Sequence, residues 1–291
     1  MLQQVTNTGL EKQEITLWVL RTDQIHPQIS GNKWFKLKYN LTEAKRRKFH
    51  TLLTFGGAYS NHIYATARAG QLGGFRTIGI IRGEKTLPLN ETLAYAKEVC
   101  GMELHYMNRT TYRQKHTSFV ISELQAKFGS FYLIPEGGTN VLAVEGCKEI
   151  LTDIDLPFDT VCVPVGTGGT LAGLVASLKT TQQALGFAVL KGGDFLYNDV
   201  NQLLKAYDEE KLLGWQAKYR IALDYHFGGY AKRPEKLCEF VNDFSKNYQI
   251  PIEPIYTGKM FWGIFDLVEQ GFFKKKSVIL AVHTGGLRTN A

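Results

Sequence analysis

The sequence lacks any long apolar run and any recognisable export signal. None of its apolar stretches approaches the about 20 residues that a membrane-spanning helix requires. Residues 1–8 are mostly polar and lead into no apolar segment of signal-peptide length. We therefore expect a cytoplasmic protein that has no membrane partner.

Paired cysteines and nucleotide-binding motifs are also missing. The four cysteines lie far apart, with no CxxC pair and no nearby histidine cluster. This spacing argues against a disulfide scaffold and against a metal site, and favours reduced, buried thiols. Neither the GxGxxG fingerprint of dinucleotide-binding proteins nor the GxxxxGK[ST] phosphate loop of ATP-binding proteins occurs, so neither NAD nor ATP is indicated.

What the sequence does contain is a modest excess of positive charge. The formal net charge is +7, and part of it lies in two short basic runs at residues 45–48 and 274–276. Runs of this length are more typical of solvated helix or loop ends than of a nucleic-acid interface, and no nucleic-acid-binding module accompanies them, so we expect no nucleic-acid partner. A mildly positive field suits an anionic cofactor and a carboxylate substrate.

Short apolar segments alternate with longer helix-like stretches. Strands are predicted at residues 51–55, 77–81, 103–107, 130–134, 160–165, 187–190 and 277–282, and helices at 60–72, 89–99, 117–128 and 171–178. Such alternation is typical of parallel sheets covered by helices on both faces. We predict an α/β protein of two three-layer α/β/α domains with twisted, mainly parallel sheets. A ligand is expected between the domains, near the carboxyl ends of the strands.

Lys33 is the first candidate for a reactive group. It follows Gly31 and Asn32 and precedes a helix-like stretch. Taken alone, such a lysine is more typical of a surface cation. A lysine buried beside a cofactor aldehyde behaves differently, because desolvation lowers its pKa, frees the amine and permits a Schiff base.

Two glycine-rich loops follow predicted strands and precede helices. Residues 56–62 place Ser60 and Asn61 at a helix start, where backbone N–H groups bind anions; ordinary helix capping by Ser60 is an equal alternative. In residues 166–170, glycines allow close approach of the backbone to a phosphate, although a plain glycine turn has the same composition. Together with Lys33 and the strand end at His283–Gly286, these are the parts of a pyridoxal-phosphate site.

Several motifs, in order, resemble those of the D-cysteine desulfhydrase and 1-aminocyclopropane-1-carboxylate deaminase family. This family has the tryptophan-synthase-β-like fold, which is pyridoxal-phosphate fold type II. Residues 30–38 are similar to its GNKxRKLE signature, 56–62 to its SNH or SNQ loop and 165–173 to its phosphate loop. Later segments also match, at residues 225–230, 256–259 and 283–286. The resemblance extends from about residue 21 to residue 286.

The resemblance implies pyridoxal 5′-phosphate as cofactor and Lys33 as its Schiff-base lysine. Lys36 would hold the phosphate together with Gly166, Thr167, Gly168, Gly169 and Thr170. Asn61 would hydrogen-bond the ring hydroxyl, and Thr257 and Thr284 would lie near the pyridine nitrogen. The resemblance also implies a homodimer. A large cofactor-binding domain is expected from residues 1–35 and 138–291, and a small domain that closes over the substrate from residues 36–137.

The substrate would be a small amino acid, held through its carboxylate by Ser60, Asn61 and His62. Tyr230 and Tyr256 would stand over it as catalytic or positioning groups, with Ser60 counted among the catalytic residues. The sequence departs from the family pattern at Phe35, where the usual residue is arginine. It is also short between the phosphate loop and Tyr230.

Thr257 and Thr284 bear on the choice of substrate. The cyclopropane deaminases of the family carry Glu and Leu at these positions, whereas the D-cysteine desulfhydrases carry Ser or Thr and then Thr. A hydroxyl near the ring nitrogen leaves a weaker electron sink than a carboxylate does. Loss of a thiol from the carbon next to a carbanion tolerates that weakness, whereas opening of a cyclopropane does not. We therefore predict conversion of D-cysteine to pyruvate, sulfide and ammonia, with Lys33 or a tyrosine removing the α-proton.

Three alternatives remain open at this point. The first is 1-aminocyclopropane-1-carboxylate deamination to 2-oxobutanoate and ammonia. The second is lyase activity on D-serine or an L-amino acid. The third, of a different class, is a phosphate-ligand binding protein that has lost the chemistry; the joint presence of Lys33, Ser60 and Tyr256 weighs against it.

Overall fold

The chain folds around two separate β-sheets in a computed structural model, which describes residues 1–287. The strands are β1 Leu2–Val5, β2 Thr16–Leu20, β3 Thr51–Gly56, β4 Arg76–Arg82, β5 Glu103–Met107, β6 Tyr132–Ile134, β7 Thr160–Val165, β8 Gln183–Ala188, β9 Tyr219–Ala222 and β10 Val278–Val282. The helices are α1 Thr8–Lys12, α2 Asn32–Arg46, α3 Asn61–Gly73, α4 Glu91–Ala94, α5 Arg109–Arg113, α6 Ser118–Phe128, α7 Val141–Lys148, α8 Gly169–Ser177, α9 Phe195–Tyr207, α10 Leu212–Gln216, α11 Glu235–Tyr248 and α12 Thr257–Glu269.

The larger sheet has six strands in the order β1-β2-β10-β7-β8-β9. Only the β1–β2 pair is antiparallel. The central strands β10 and β7 are almost continuously apolar, because helices cover both of their faces. Side chains of α7, α8 and α9 pack on one face, and side chains of α1, α11 and α12 pack on the other.

The smaller sheet has four parallel strands in the order β5-β4-β3-β6. Helix α3 contributes to the packing on one face, and α5 and α6 pack on the other. The carboxyl ends of its strands therefore meet at one edge, where β3 leads into loop 57–60 and β6 into loop 135–139. The predicted fold class, two mainly parallel α/β units, is confirmed.

Most of the predicted elements are confirmed as well. The strands at 51–55, 77–81, 103–107, 160–165 and 277–282 are correct to within one residue at each end. The strand predicted at 187–190 was misplaced, because β8 runs from Gln183 to Ala188 and contains Gly186 at its centre. The helix predicted at 89–99 consists of α4 followed by a π-helical turn at Tyr95–Val99. Strands β1, β2 and β9 and helices α1, α5, α7, α9, α10 and α11 were not identified.

The basic runs lie at the ends of structural elements. Residues 45–48 form the last turn of α2 and the residues after it, where Arg46 pairs with Glu43 at 2.7 Å. In the second run, Lys275 pairs with Glu14 at 3.2 Å. Across residues 1–287, no helix combines the length and the hydropathy that crossing a membrane would demand.

Glycines let α2, the helix that carries Lys33 and Lys36, and its neighbours α7 and α8 pack unusually closely against one another. A Cβ atom on Gly146 of α7 would lie 2.0 Å from the Phe35 carbonyl oxygen of α2. A Cβ atom on Gly173 of α8 would lie 2.3 Å from the Cys147 Cβ of α7. Helices α2, α7 and α8 therefore form one interlocked layer, and the position of α2 depends on the missing side chain at residue 146.

We expect Gly146→Ala to lower the free energy of unfolding by about 1–3 kcal/mol, because the new methyl group meets backbone rather than a flexible side chain. Gly214→Ala is the matched control: it lies in α10, and a Cβ there would have no neighbour within 4 Å. The control should be neutral or stabilising by up to about 1 kcal/mol, because alanine favours helix. Urea denaturation of both variants measures the difference, and equal stabilities would contradict the packing argument.

Candidate active site

Lys33 lies in the first turn of α2, beside a backbone crossing that requires glycine. Gly31 has φ +65°, and a Cβ there would lie 2.0 Å from the Thr284 carbonyl oxygen. The Lys33 ammonium donates to Asn32 Oδ1 at 3.0 Å, and Asn32 Nδ2 donates to Thr170 Oγ1 at 2.8 Å. Asn32 therefore connects the candidate Schiff-base lysine to the start of α8. Burial, and then the charge of Lys36, lower the pKa of Lys33 to about 7.

Lys36 lies one turn further along the same face of α2 and is almost fully buried. Its ammonium donates to the Gly137 carbonyl at 3.1 Å, to Thr139 Oγ1 at 2.9 Å and to Thr167 Oγ1 at 3.3 Å. Burial lowers the pKa of Lys36 to about 8. None of its partners within residues 1–287 is a carboxylate, so the described residues leave this buried cation without a counter-charge.

The predicted phosphate loop, residues 166–170, lies directly against Lys36. Gly168 has φ +76°, and α8 begins at Gly169 without a side-chain cap. A Cβ on Gly169 would lie 3.0 Å from Thr139 Oγ1 and 3.1 Å from the Lys36 ammonium. An uncapped helix start beside a buried cation is an anion-binding arrangement of the kind that holds phosphate groups.

Ser60 and Asn61 lie at the start of α3. Ser60 Oγ accepts hydrogen bonds from the backbone N–H groups of His62, at 3.2 Å, and Ile63, at 3.3 Å. Capping of α3 by Ser60 is thus present, and it leaves the hydroxyl proton free to donate elsewhere. Asn61 Nδ2 is 2.7 Å from where a Cβ on Gly286 would lie, so Asn61 faces the end of β10.

The His62 side chain lies on the inner side of this helix start and is 2 % exposed. Its Nε2 is 2.7 Å from Thr54 Oγ1, and its Nδ1 is 3.3 Å from Thr66 Oγ1. Burial, followed by the charges of the two lysines, holds the pKa of His62 well below its usual value, so the ring is neutral. The His62 ring therefore points into the core towards Thr54, and it is the backbone N–H of His62, not the ring, that contacts Ser60. A carboxylate contact by His62 stays a prediction.

Tyr256 and Tyr230 face each other. Their hydroxyl oxygens are 3.4 Å apart and their rings meet at 5.9 Å in a T-shaped contact. A Cβ on Gly166 would lie 3.2 Å from Tyr256 Cε1, so this ring lies against the first residue of the phosphate loop. Burial, and the proximity of Tyr230, raise the pKa of Tyr256 well above its usual value, so it carries its proton at neutral pH.

Glu253 was missed by the sequence reasoning. Its Oε1 accepts from the backbone N–H groups of Tyr256, at 2.9 Å, and Thr257, at 2.8 Å, and from the Thr257 hydroxyl at 3.1 Å. Its Oε2 accepts from the N–H groups of Ile255, at 2.7 Å, and Tyr256, at 3.2 Å. Burial raises the pKa of the Glu253 carboxyl, and these bonds oppose the rise. The carboxylate caps α12 and fixes the backbone of Tyr256.

The two threonines that bear on the substrate differ in their surroundings. The Thr257 hydroxyl is fully buried and accepts from the Glu253 N–H at 3.0 Å while facing the Glu253 carboxylate. The Thr284 carbonyl accepts from the Asn32 N–H at 3.3 Å, but its hydroxyl has no hydrogen-bond partner within residues 1–287. Of the two, only Thr284 keeps a hydroxyl available for a ligand.

Asn32 and Thr139 were also missed as site residues, although a signal for each was present. Asn32 stands inside the Lys33 motif, and Thr139 directly follows the glycine-rich turn Glu136–Gly138, which comes after β6. Phe35, the departure from the family pattern, packs with Val144 and Cys147 in the core of the larger sheet. An apolar contact therefore occupies the position at which the family carries a charge.

The chain matches the family model described as pyridoxal-phosphate dependent enzyme over residues 5–285. A Pyrococcus furiosus protein named as a candidate 1-aminocyclopropane-1-carboxylate deaminase is 34 % identical over 93 % of this chain and 84 % of its own length. The bifunctional D-cysteine desulfhydrase/1-aminocyclopropane-1-carboxylate deaminase of Arabidopsis thaliana mitochondria is 28 % identical over 93 % and 72 %.

Among solved structures, an ACC deaminase homologue superposes with a TM-score of 0.82 at 27 % identity, covering 99 % of this chain and 89 % of that one. Both the family model and this superposition extend over almost the whole chain, and they include the glycine loop, Lys33, Lys36 and the threonine-bearing end of β10. This chain is therefore a member of the pyridoxal-phosphate-dependent enzyme family.

Proposed function

We propose that the chain is a pyridoxal-phosphate-dependent lyase that converts D-cysteine to pyruvate, sulfide and ammonia. The observation that carries the proposal is the pairing of Lys33, whose pKa is lowered to about 7, with the anion cradle formed by Lys36 and residues 166–170. Lys33 supplies a reactive amine. Lys36, one turn further along α2, and residues 166–170 supply a binding site for the cofactor phosphate.

The residues present fit this cofactor. When bound, pyridoxal phosphate supplies an aldehyde that captures amines and a ring that withdraws electrons from the α-carbon. Lys33 is the attachment point, since its lowered pKa leaves a large neutral fraction at pH 7. Lys36 and the N–H groups at the start of α8 hold the phosphate, which gives the buried ammonium the counter-charge that the described residues do not provide.

Ser60 and Asn61 bind the substrate carboxylate in this proposal. Ser60 keeps a free hydroxyl proton because its oxygen, not its hydrogen, caps α3. The positive end of α3 adds to the attraction. Lys33, oriented through Asn32, would accept the α-proton of the substrate.

Tyr256 protonates the departing sulfide. Its pKa is raised, so at neutral pH it holds a proton that it can donate. Tyr230 supports it by receiving the hydrogen bond between the two hydroxyl groups. The Glu253 carboxylate fixes the backbone from which the Tyr256 ring projects.

The choice of D-cysteine rests on which groups remain available near the end of β10. Glu253 lies at the end of β10, with its Cγ 3.6 Å from where a Cβ on Gly286 would lie, but its two oxygens already accept from three backbone N–H groups and the Thr257 hydroxyl. A carboxylate offers about four lone-pair positions, so none is left for a ring nitrogen. The Thr284 hydroxyl is the remaining candidate, and a neutral partner favours thiol elimination over cyclopropane opening.

Deamination of 1-aminocyclopropane-1-carboxylate is the second candidate. It is favoured by the names of the archaeal and plant relatives and by the position of Glu253, whose Cγ lies 3.6 Å from where a Cβ on Gly286 would lie. The two activities require the same cofactor and the same Lys33. Only the leaving group, and hence the product, separates them.

The assembly and the movements of the chain belong to the same proposal. We propose a cytoplasmic homodimer in which residues 36–137 close over the substrate against residues 1–35 and 138–291. The distribution of strands supports this division, since all four strands of the smaller sheet lie between residues 36 and 137.

Lys33→Ala should abolish covalent attachment of the cofactor. After reduction with borohydride, the wild-type protein should carry a pyridoxyl group on the tryptic peptide that contains Lys33, and the variant should carry none. Lys45→Ala, an exposed lysine on the same helix, is the matched control and should keep the label. A label that persists in Lys33→Ala would refute the assignment, and an unlabelled wild-type protein would favour a ligand-binding role.

The attachment rate should depend on pH through Lys33. Because burial lowers its pKa to about 7, the neutral fraction rises about tenfold between pH 6 and pH 8 and then levels off. An unperturbed lysine would keep gaining reactivity up to about pH 10. Stopped-flow absorbance of the apoenzyme mixed with pyridoxal phosphate measures the profile; a rate that still climbs above pH 9 would count against a buried amine.

A substrate panel decides between the two lyase activities. We expect kcat/KM for D-cysteine to exceed that for 1-aminocyclopropane-1-carboxylate by at least about tenfold, because within residues 1–287 the carboxylate at the end of β10, Glu253, is already engaged in hydrogen bonds. Pyruvate and sulfide are measured against 2-oxobutanoate, with L-cysteine and D-serine in the same panel. A preference for the cyclopropane substrate would show that Glu253 acts despite its hydrogen bonds.

A further inference from the structure

The segment that carries Tyr230 is strained. We call residues 225–231 the Tyr230 loop. Within it Phe227, Gly228, Gly229 and Ala231 have φ values of 53°, 93°, 126° and 60°. Phe227 and Ala231 are therefore in a left-handed conformation that residues with a Cβ rarely adopt. Tyr230 itself is 39 % exposed, so its own packing contributes little to holding this geometry. Such a loop persists only when its surroundings fix it.

One face of α12 fixes it. Lys259, Trp262 and Asp266 are spaced so that they project from the same side of the helix. Three contacts connect this face to residues 225, 227 and 229 of the loop. The Tyr225 hydroxyl donates to Asp266 Oδ2 at 2.6 Å, and the Lys259 ammonium donates to the Gly229 carbonyl at 2.8 Å. The Phe227 and Trp262 rings meet edge to face, with their centroids 5.3 Å apart.

Of the three contacts, the one made by Lys259 lies closest to Tyr230 along the chain, and it is unusual because it buries an ammonium. Its side chain is fully buried, and its ammonium has a second, longer bond to the Val189 carbonyl at 3.4 Å. Both acceptors are neutral, and burial lowers the pKa of Lys259 to about 8. The Glu253 charge opposes this lowering of the pKa, but it accepts no hydrogen bond from Lys259. Burying an ammonium whose hydrogen-bond acceptors are all neutral is costly, whereas a methionine of similar volume would pack there without that cost.

We propose that Lys259 is a positioning residue for the reaction: it pins the Gly229 carbonyl and thereby keeps the Tyr230 hydroxyl against the Tyr256 hydroxyl. Helix α12 begins at Thr257, directly after Tyr256, so a single helix places both tyrosines. The catalytic part of this inference rests on the proposed function, because it assumes that Tyr230 and Tyr256 act on the substrate.

A double-mutant cycle tests whether Lys259 acts through Tyr230. Lys259→Met should lower kcat/KM for D-cysteine about tenfold, the effect expected for loss of a hydrogen bond from a charged donor. In a Tyr230→Phe background the same substitution should cost less than about twofold, because residues that act as a unit are non-additive. An equal loss in both backgrounds would indicate a general structural role and overturn the proposal.

A second measurement follows the loop without any turnover. Lys232 is exposed just beyond the loop, and trypsin cleavage after it reports local opening. Cleavage should be about tenfold faster in Lys259→Met than in wild type, and unchanged in Lys246→Met, an exposed lysine of α11. Equal rates in wild type and Lys259→Met would overturn the proposal.

The two measurements separate the failure of this inference from the failure of the proposed function. If no amino acid of the panel is turned over by wild type, the proposed activity fails, while the cleavage comparison still decides whether Lys259 holds the loop. Should Lys259→Met not fold, Lys259→Gln retains donor groups without the charge and carries the same cycle. Its loss of kcat/KM must also vanish in the Tyr230→Phe background, or the inference is wrong.

Discussion

The physical constraint on which the site depends is the presence of two lysine amines, the half-buried Lys33 and the buried Lys36, on one turn of α2. Lys33 and Lys36 are three residues apart on one helical face. The charge of Lys36 lowers the pKa of Lys33, and the charges of both lysines lower the pKa of His62. Within residues 1–287 no carboxylate neutralises Lys36. The folded chain therefore carries an electrostatic cost at Lys36 that a phosphate can relieve. Burial, and then the charge of Lys36, lower the pKa of Lys33 to about 7.

The rest of the scaffold serves to keep this turn in place. Gly146 and Gly173 allow α2, α7 and α8 to approach so closely that the phosphate loop and the two lysines form one unit. Gly31 lets the chain cross the end of β10 in the residue before α2 begins. On the opposite side of the site, Glu253 and Lys259 fix the two tyrosines through backbone atoms. In each case a backbone contact, rather than a side chain alone, sets the position of a chemical group.

Much of this could be predicted from the sequence, and the reasons for the misses are physical. Apolar runs ended by glycine gave the central strands, because strands buried on both faces need continuous apolar sequence. Strands β1 and β9 lie at the edges of the larger sheet, where partly exposed residues break that pattern. Lys33, Lys36 and the glycine loop stand in local motifs, and they converge as expected.

Glu253 and Lys259 could not be predicted in the same way. The role of Glu253 comes from bonds to backbone N–H groups, and that of Lys259 from backbone carbonyls of distant segments; neither leaves a side-chain pattern in the sequence. His62 shows the converse. Its place in a motif predicts a ligand contact, which stays a prediction, whereas the contact of its ring with Thr54 in the first turn of α3 left no signal in the sequence.

The bonds of Lys36 also limit how the two sheets can move. Its ammonium joins Gly137 and Thr139, which follow the smaller sheet, to Thr167, which follows β7 of the larger one. A hinge motion between the sheets must either break these bonds or use Lys36 as its pivot. In the proposed closure, displacements would then be smallest at the phosphate cradle and would grow with distance from it, so the far rim of the smaller sheet would move most and the residues that hold the phosphate least.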